Sequence, residues 1–362
     1  MLIFYLIVLL LPFLAVRKRA EGSEIMDSKS TTCLKGVLCL YVLLHNLGLD
    51  YKGNSAAMEL ICEHTGGVGV GVFFFLSAFG IIRSYQKNGN KYLPKLLLQN
   101  VIKLYLVSVL INVVTYFMFF KGNFETGDLL LRIFNLDVFN NFNRMNRHGW
   151  YISTIIAMYI IFALVYYICS KLKTEKRFVI ACFILAFIAI GFRLTARIAD
   201  TGGMYTRELP CFAIGCLYAT FYDKVNYLFN RYFLLSLLSL IASFILGFIF
   251  FEPVAAYAAC LIIICLSQKI TYYSKPTFFL GKICLGVYLT LHFSSIIMQP
   301  FITNQYLWVI TNSGLILLLS LAIHGLVYGV DYVIKLIKKE CEKRKSKTRQ
   351  VIEINEKDSQ IV

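Results

Sequence analysis

Lys35-Gly36-Val37-Leu38-Cys39-Leu40-Tyr41-Val42-Leu43-Leu44-His45 is an apolar run with a cation at its first position and a histidine ten residues on. At helical rise the two side chains leave the backbone about 15 Å apart along one helix. The stretch around them, 33–49, is apolar enough to read as membrane-spanning. Polar and ionisable groups are costly in a bilayer, and those that persist there point to function. Histidine titrates near neutral pH, which suits it to proton or acyl transfer.

Composition identifies the solvent. The chain has 362 residues, 58% of them hydrophobic and only 15% charged, with a mean hydropathy of +0.69. A soluble domain averages about 25% charged residues, so this is an integral membrane protein. Its longest polar stretches, about 30 residues, are too short to hold a core of their own. The net charge of +16 fits cytoplasmic loops that meet anionic lipid. No soluble reader module accompanies it, which excludes a nucleic-acid partner. The 11 cysteines include no C-x-x-C pair and lie mostly in apolar runs. They read as small hydrophobes, and neither a metal site nor a disulfide framework is expected.

Apolar windows predict an all-α fold, a polytopic transmembrane bundle of about 10–11 helices. The windows are 2–16, 33–49, 66–84, 98–120, 149–170, 177–195, 207–222, 232–251, 253–268, 279–298 and 306–336. Three parts follow: an anchor helix and linker (1–32), a membrane domain (33–336) and a basic tail (337–362). In the first, Arg17-Lys18-Arg19 follows the apolar run rather than preceding it, which favours an anchor over a cleaved signal peptide. Alternate loops carry the cations: Arg17 to Arg19, Arg83 to Lys95, Lys171 to Arg177, Lys224 and Arg231, Lys269 and Lys275, and Lys338 to Arg349. The other loops are mixed or acidic. The positive-inside rule then predicts a cell-membrane protein with a cytoplasmic C-terminus, Lys35 toward the cytoplasm and an extracytoplasmic N-terminus if 1–16 spans. His45, His148, Arg207, Glu208 and His292 all fall toward the outer side.

Four further segments carry chemistry. Gly66-Gly67-Val68-Gly69-Val70-Gly71-Val72-Phe73-Phe74-Phe75-Leu76-Ser77-Ala78-Phe79-Gly80 reads as close helix packing through small residues. Its spacing is not that of a dinucleotide fingerprint. His148-Gly149-Trp150-Tyr151-Ile152-Ser153 fits an interfacial aromatic belt and equally an acceptor platform, since aromatic faces support sugar rings. Arg207-Glu208-Leu209-Pro210 opens a helix with proline in its first turn, as a solvated end or as part of a site. His292 lies in the outer half of 279–298, with Tyr288 one turn before it on the same helix.

Together these segments resemble the acyltransferase-3 family of multi-pass membrane acyltransferases, over roughly residues 33 to 330. Lys35 followed by His45 resembles the family's basic residue and histidine ten residues apart. Val72 to Phe79 resembles its FFxLSGF segment, and Trp150 to Ser153 with Tyr159 its WFLS segment. Phe212 with Gly215 resembles FxxG, and Leu280 to His292 the closing LGxxSxxxYLxH. The chain departs from the pattern at Lys35, where arginine is commoner, at Ala78 in place of glycine, and at Cys284 or Gly286 in place of serine.

The resemblance implies an O-acyltransferase that takes an acyl group, usually acetyl, from acyl-CoA as co-substrate, with no tightly bound cofactor. The acceptor it implies is a surface or lipid-linked polysaccharide. His45 is then the catalytic residue, as general base or as acyl carrier. Lys35 and Arg83 pair with the donor phosphates. His148, Trp150, Tyr151, Arg207, Glu208, Tyr288 and His292 serve the acceptor or support the site. Two other classes compete: a polysaccharide flippase or exporter, which needs a large polar cavity, and a repeat-unit polymerase, which needs a large arginine-rich outer loop. The loop 121–148 is modest, with Arg132, Arg144 and Arg147.

The loop charges generate a direct test. A topology reporter fused after Val362 is expected to be active only on the cytoplasmic side. Activity on the outer side would invert the map.

Overall fold

Asp27 starts the first long helix: its carboxylate accepts the Ser30 backbone N–H at 2.6 Å, a side-chain cap for an otherwise orphaned donor. The structure is a computed structural model that describes residues 14–50, 56–119, 126–134, 149–198, 207–298, 300–302 and 304–359. In chain order the elements are β1 (Val16–Lys18), α1 (Ser28–Asp50), α2 (Ala56–Asn88), α3 (Tyr92–Leu96), α4 (Ile102–Phe119), α5 (Thr126–Ile133), α6 (Gly149–Ser170) and α7 (Arg177–Ile198). They continue with α8 (Pro210–Thr220), α9 (Tyr222–Arg231), α10 (Phe233–Phe250), α11 (Glu252–Leu266), β2 (Ile270–Tyr272), α12 (Lys275–Met298) and α13 (Gln305–Ser359). A π-helical segment, Leu97–Val101, joins α3 to α4. The fold is the expected all-α polytopic bundle.

Six helical stretches among the described residues are long and apolar enough to cross a membrane. The longest, Thr65–Met118, contains two of the expected windows, 66–84 and 98–120. Two expected spans are short helices instead, α8 and α11, of 11 and 15 residues. The expected 279–298 helix is present within α12, where Lys282, Thr290 and the serines lower the hydropathy. Of the expected 1–16 helix, residues 1–13 lie outside the described residues, and Val16 already belongs to a strand. That strand was not foreseen: β1 pairs antiparallel with β2, Arg17 opposite Thr271. The Tyr272 N–H also bonds Ser30 Oγ at 3.2 Å, tying this small sheet to α1. Likewise α13 runs on into the basic tail as helix.

Two kinds of helix surface sort the bundle. Helix α10 exposes Leu234, Leu235, Leu238, Leu246 and Phe250, an apolar exterior that suits lipid and would be a liability in water. By contrast α2 is enclosed: Val72, Phe74, Phe75, Ala78 and Ile82 are all buried, with α1, α8 and α11 packed around it. Its glycines share out the neighbours. A Cβ at Gly71 would meet Ala256 of α11 and Cys211 of α8 at 2.9 and 3.0 Å, and one at Gly69 would meet Val42 of α1 at 3.0 Å. The expectation of close packing through this run holds at these positions, whereas Gly80 faces open space.

The tightest approach is between α1 and α12. A Cβ at Gly36 would overlap the Thr277 carbonyl, and one at Gly281 would overlap the Thr32 carbonyl. Each helix therefore offers a small residue four positions from its partner, Thr32 to Gly36 and Thr277 to Gly281, the pattern that lets membrane helices touch backbone to backbone. Gly36→Val or Gly281→Val is expected to lower thermal stability by about 1–3 kcal/mol or more, because the overlapping atoms are backbone and cannot rotate away. Gly80→Ala is the control and is expected to leave the melting temperature of the purified protein unchanged.

Candidate active site

Lys35 stands where two cavities of opposite character meet, and it lines both. The first is a polar vestibule of about 720 Å³. The opening turns of α1 build one wall with Asp27, Ser28, Thr31 and Thr32, and the last turns of α2 build the other with Arg83, Ser84, Gln86 and Lys87. Antiparallel neighbours bring these ends together. Arg83 is held in place from three directions: Nη2 to Glu24 Oε1 at 3.1 Å, Nη1 to Gln86 Oε1 at 3.2 Å, and its guanidinium carbon 4.3 Å above the Tyr222 ring. The Tyr222 hydroxyl in turn donates to the Ile25 carbonyl at 2.8 Å. Burial pushes that phenol's pKa up, Glu24 adds to the rise, and Arg83 pulls the other way.

The second cavity, about 160 Å³, runs between α1, α2, α4, α6 and α12. Helical spacing selects its lining. On α1 it is Lys35, Cys39 and Val42, at i, i+4 and i+7; on α2 it is Val70, Phe73 and Ser77. Most of the surface is aliphatic or aromatic, with phenols from Tyr151, Tyr159 and Tyr288. Ser77 lines the same cavity as the phenols of Tyr151 and Tyr159. Tyr151 also packs against Phe74 at 4.9 Å and edge-on to Tyr288 at 5.3 Å between centroids.

His45 does not line this cavity. It lies about one turn beyond Val42 on α1, and its ring packs over Gly66, where any Cβ would overlap the imidazole. Gly66 is itself one turn before the cavity residue Val70. The imidazole, half-buried, therefore lies beyond the end of the cavity opposite to Lys35 along α1. Next to it Asn46, buried, donates from Nδ2 to the Val42 carbonyl at 2.7 Å.

The other expected residues divide. Tyr151 and Tyr288 meet Lys35 in the cavity, and Arg83 meets it in the vestibule. Trp150 packs behind, 6.4 Å from Phe74. Arg207 and Glu208 form an ion pair that lines neither cavity. It sits on the side of α2 that carries Gly71, whose built Cβ would be 3.6 Å from Glu208 Cβ. Glu208 is only 1% exposed, so its carboxylate is buried while Arg207 remains partly exposed. His148 lies outside the described residues, and of His292 only the backbone position in α12 is described. Four residues were not singled out from sequence: Ser77, Cys39 and Cys284 in the cavity, and Lys87 in the vestibule. Ser77 had a signal, as the polar break in an aromatic run. Among the described residues no three His, Cys, Asp or Glu side chains gather as a metal site would require.

A polar, cation-bearing mouth opening through one lysine into a narrow apolar pocket fits a substrate with a charged head and a thin, less polar arm. The family model described as "acyltransferase domain" matches residues 29–329. The chain belongs to the acyltransferase-3 family. No curated protein and no solved structure matches it. The matched range begins within the first turn of α1 and ends within α13, so it holds the apolar cavity, His45 and the vestibule residues from Thr31 onward. Membership of an acyltransferase family also sets aside the flippase and polymerase readings. This multi-pass membrane protein is an acyltransferase.

Gly66 offers a test that leaves every polar side chain in place. Gly66→Ala is expected to displace the His45 ring and to cut acyl transfer about 100-fold, the scale of a 1 Å misplacement of a reacting group. Assayed against a melting curve, an active variant would show that the ring's position over Gly66 is immaterial.

Proposed function

We propose that the protein transfers an acyl group, acetyl in the first instance, from cytoplasmic acyl-CoA to a hydroxyl of a surface or lipid-linked polysaccharide. The observation that carries the reading is Lys35 lining both cavities. Nucleotide phosphates would pair with Lys35, Arg83 and Lys87 in the vestibule. The pantetheine arm would pass Lys35 into the apolar cavity and present its thioester toward His45. The loop cations support a cytoplasmic vestibule in the cell membrane, and the acceptor would then approach His45 from the outer side. Trp150, Arg207, Glu208, His148 and His292 remain candidates for acceptor support.

Two routes are open to His45. As general base it removes the proton of the acceptor hydroxyl, whose oxygen attacks the thioester carbonyl. The C–S bond breaks, CoA leaves as a thiolate, and the imidazolium returns the proton. As nucleophile the imidazole first takes the acyl group and then yields it to the acceptor oxygen. In both routes a dry cavity protects the thioester from hydrolysis and strengthens the charge interactions around it.

NMR of surface glycan from cells with and without the protein is expected to show O-acetyl signals only in its presence; identical spectra would remove the polysaccharide acceptor. His45→Gln is expected to lower transfer from acetyl-CoA about 10²–10⁴-fold with normal membrane insertion, the usual loss of a general base. Lys35→Ala is expected to raise the KM for acyl-CoA, whereas Lys35→Arg keeps activity because arginine binds phosphate at least as well. An inactive arginine variant would count against a phosphate role for Lys35.

A further inference from the structure

Beside the vestibule lies a second polar pocket, of about 430 Å³, within the size range of small-ligand sites. Gln86 belongs to the walls of both. The end of α2 supplies one side with Tyr85, and the chain then turns through Gly89, whose φ of +58° is a left-handed conformation that glycine adopts without strain. This turn brings Asn90 to the rim. The floor is aromatic: Tyr85 lies nearly parallel to Phe178, 15° between planes with centroids 6.3 Å apart, and edge-on to Tyr166 at 4.6 Å. The rim is hydrogen-bonded. Asn90 Oδ1 accepts from the Tyr85 hydroxyl at 2.7 Å, Asn90 Nδ2 donates to Ser170 Oγ at 3.0 Å, and Arg177 donates to the Ser170 carbonyl at 3.3 Å.

We propose that this pocket holds the adenine ring of the acyl donor while Arg83 and Lys87, across Gln86, hold its phosphates. The proposal rests on the acyl-CoA reading and names the place of that donor's base. The near-parallel rings of Tyr85 and Phe178 suit a flat π system, and stacking of this kind is general among bases. The edge chemistry narrows the choice. A carboxamide has two donors and two acceptor sites, and Asn90 spends one of each within the rim. The remaining pair matches the donor-and-acceptor edge of adenine, which amide side chains bind in bidentate fashion. A lipid headgroup offers no flat face to the aromatic floor.

The test uses the full-length protein in phosphatidylcholine nanodiscs and two probes. One is 3′,5′-ADP, the nucleotide end of CoA; the other is ribose bisphosphate, which lacks the base. Calorimetry is expected to show tighter binding of 3′,5′-ADP to the unaltered protein. Asn90→Ala, an exposed position, is expected to weaken 3′,5′-ADP about tenfold, the size of one good hydrogen bond, and to leave ribose bisphosphate unchanged. Tyr85→Leu is expected to act in the same direction, and Arg83→Ala to weaken both probes. Equal affinity for the two probes, no binding of 3′,5′-ADP, or an Asn90→Ala variant that binds like the unaltered protein would each overturn the proposal. Acyl transfer from acetyl-CoA is measured separately on the same samples. Transfer without a base effect removes the adenine pocket alone, while a base effect without transfer keeps the pocket and removes the donor reading.

Discussion

The backbone contact between α1 and α12 is the constraint on which the site depends. Lys35 precedes Gly36, and Gly36 touches Thr277 and Gly281. The lysine's Cα is thereby fixed at the seam between vestibule and cavity. With a larger residue at position 36 the helices would separate, and the cavity walls that α12 supplies, Cys284, Leu285 and Tyr288, would move with them. A lysine within a membrane is tolerable at such a seam. A long side chain can lay its aliphatic stem along apolar surface while its charge stays near polar groups, and Lys35 has surfaces of both kinds beside it. The crossing thus sets both helix spacing and the environment of the one cation that both cavities share.

Around this seam the bundle separates lipid-facing from enclosed elements. Helix α10 has apolar side chains on all sides and few buried ones, because lipid is its solvent. Enclosed elements follow another rule. Helices α8 and α11 are too short to span and are surrounded by protein, where backbone at helix ends can be satisfied away from lipid. The buried Glu208 carboxylate, paired with the partly exposed Arg207, belongs to this enclosed region. Burial makes such a pair costly to break, since the remaining charge would be left uncompensated. Its contact with the Gly71 side of α2 puts it behind the helix that carries Val70, Phe73 and Ser77. Glu208 thus packs the start of α8 against the Gly71 side of α2.

Much of this was legible in the sequence, and the failures share a cause. Apolar windows located the helices, and the alternation of loop cations gathered Lys35, Arg83 and Lys87 at one end before any packing was known. The Lys35–His45 spacing fixed their separation along α1 through helical rise alone. Lateral neighbours were not legible, because a periodic pattern says which face of a helix is apolar but not which helix meets it. For that reason the partnership of Tyr151 with Tyr288, and the place of Ser77 in the same cavity as these phenols, emerge only from packing. The same limit explains Glu208: next to Pro210 at a helix start it reads as a solvated end, and only the approach of α2 buries it. The β1–β2 pair was invisible because three-residue strands carry too little pattern to distinguish from a basic linker.

Polarity along the axis of the site changes in one direction, and that gradient bears on mechanism. At one end Arg83, held by Glu24, Gln86 and the Tyr222 ring, lines an open volume together with Lys87. Past Lys35 the surface is mostly aliphatic and aromatic, and the remaining polarity comes chiefly from the hydroxyls of Ser77, Tyr151, Tyr159 and Tyr288. At the far end comes the imidazole of His45 over the bare backbone of Gly66. A donor with a highly charged head cannot move wholly into such a cavity, because desolvating its phosphates would cost more than the lining returns. Only a thin arm can enter. The head then stays on one side while the reactive carbon reaches the other, and a residue at the far end can act on an acceptor that never meets the head. On the proposed reading, donor recognition is separated from transfer by the order of polar and apolar surfaces, with Lys35 marking the boundary.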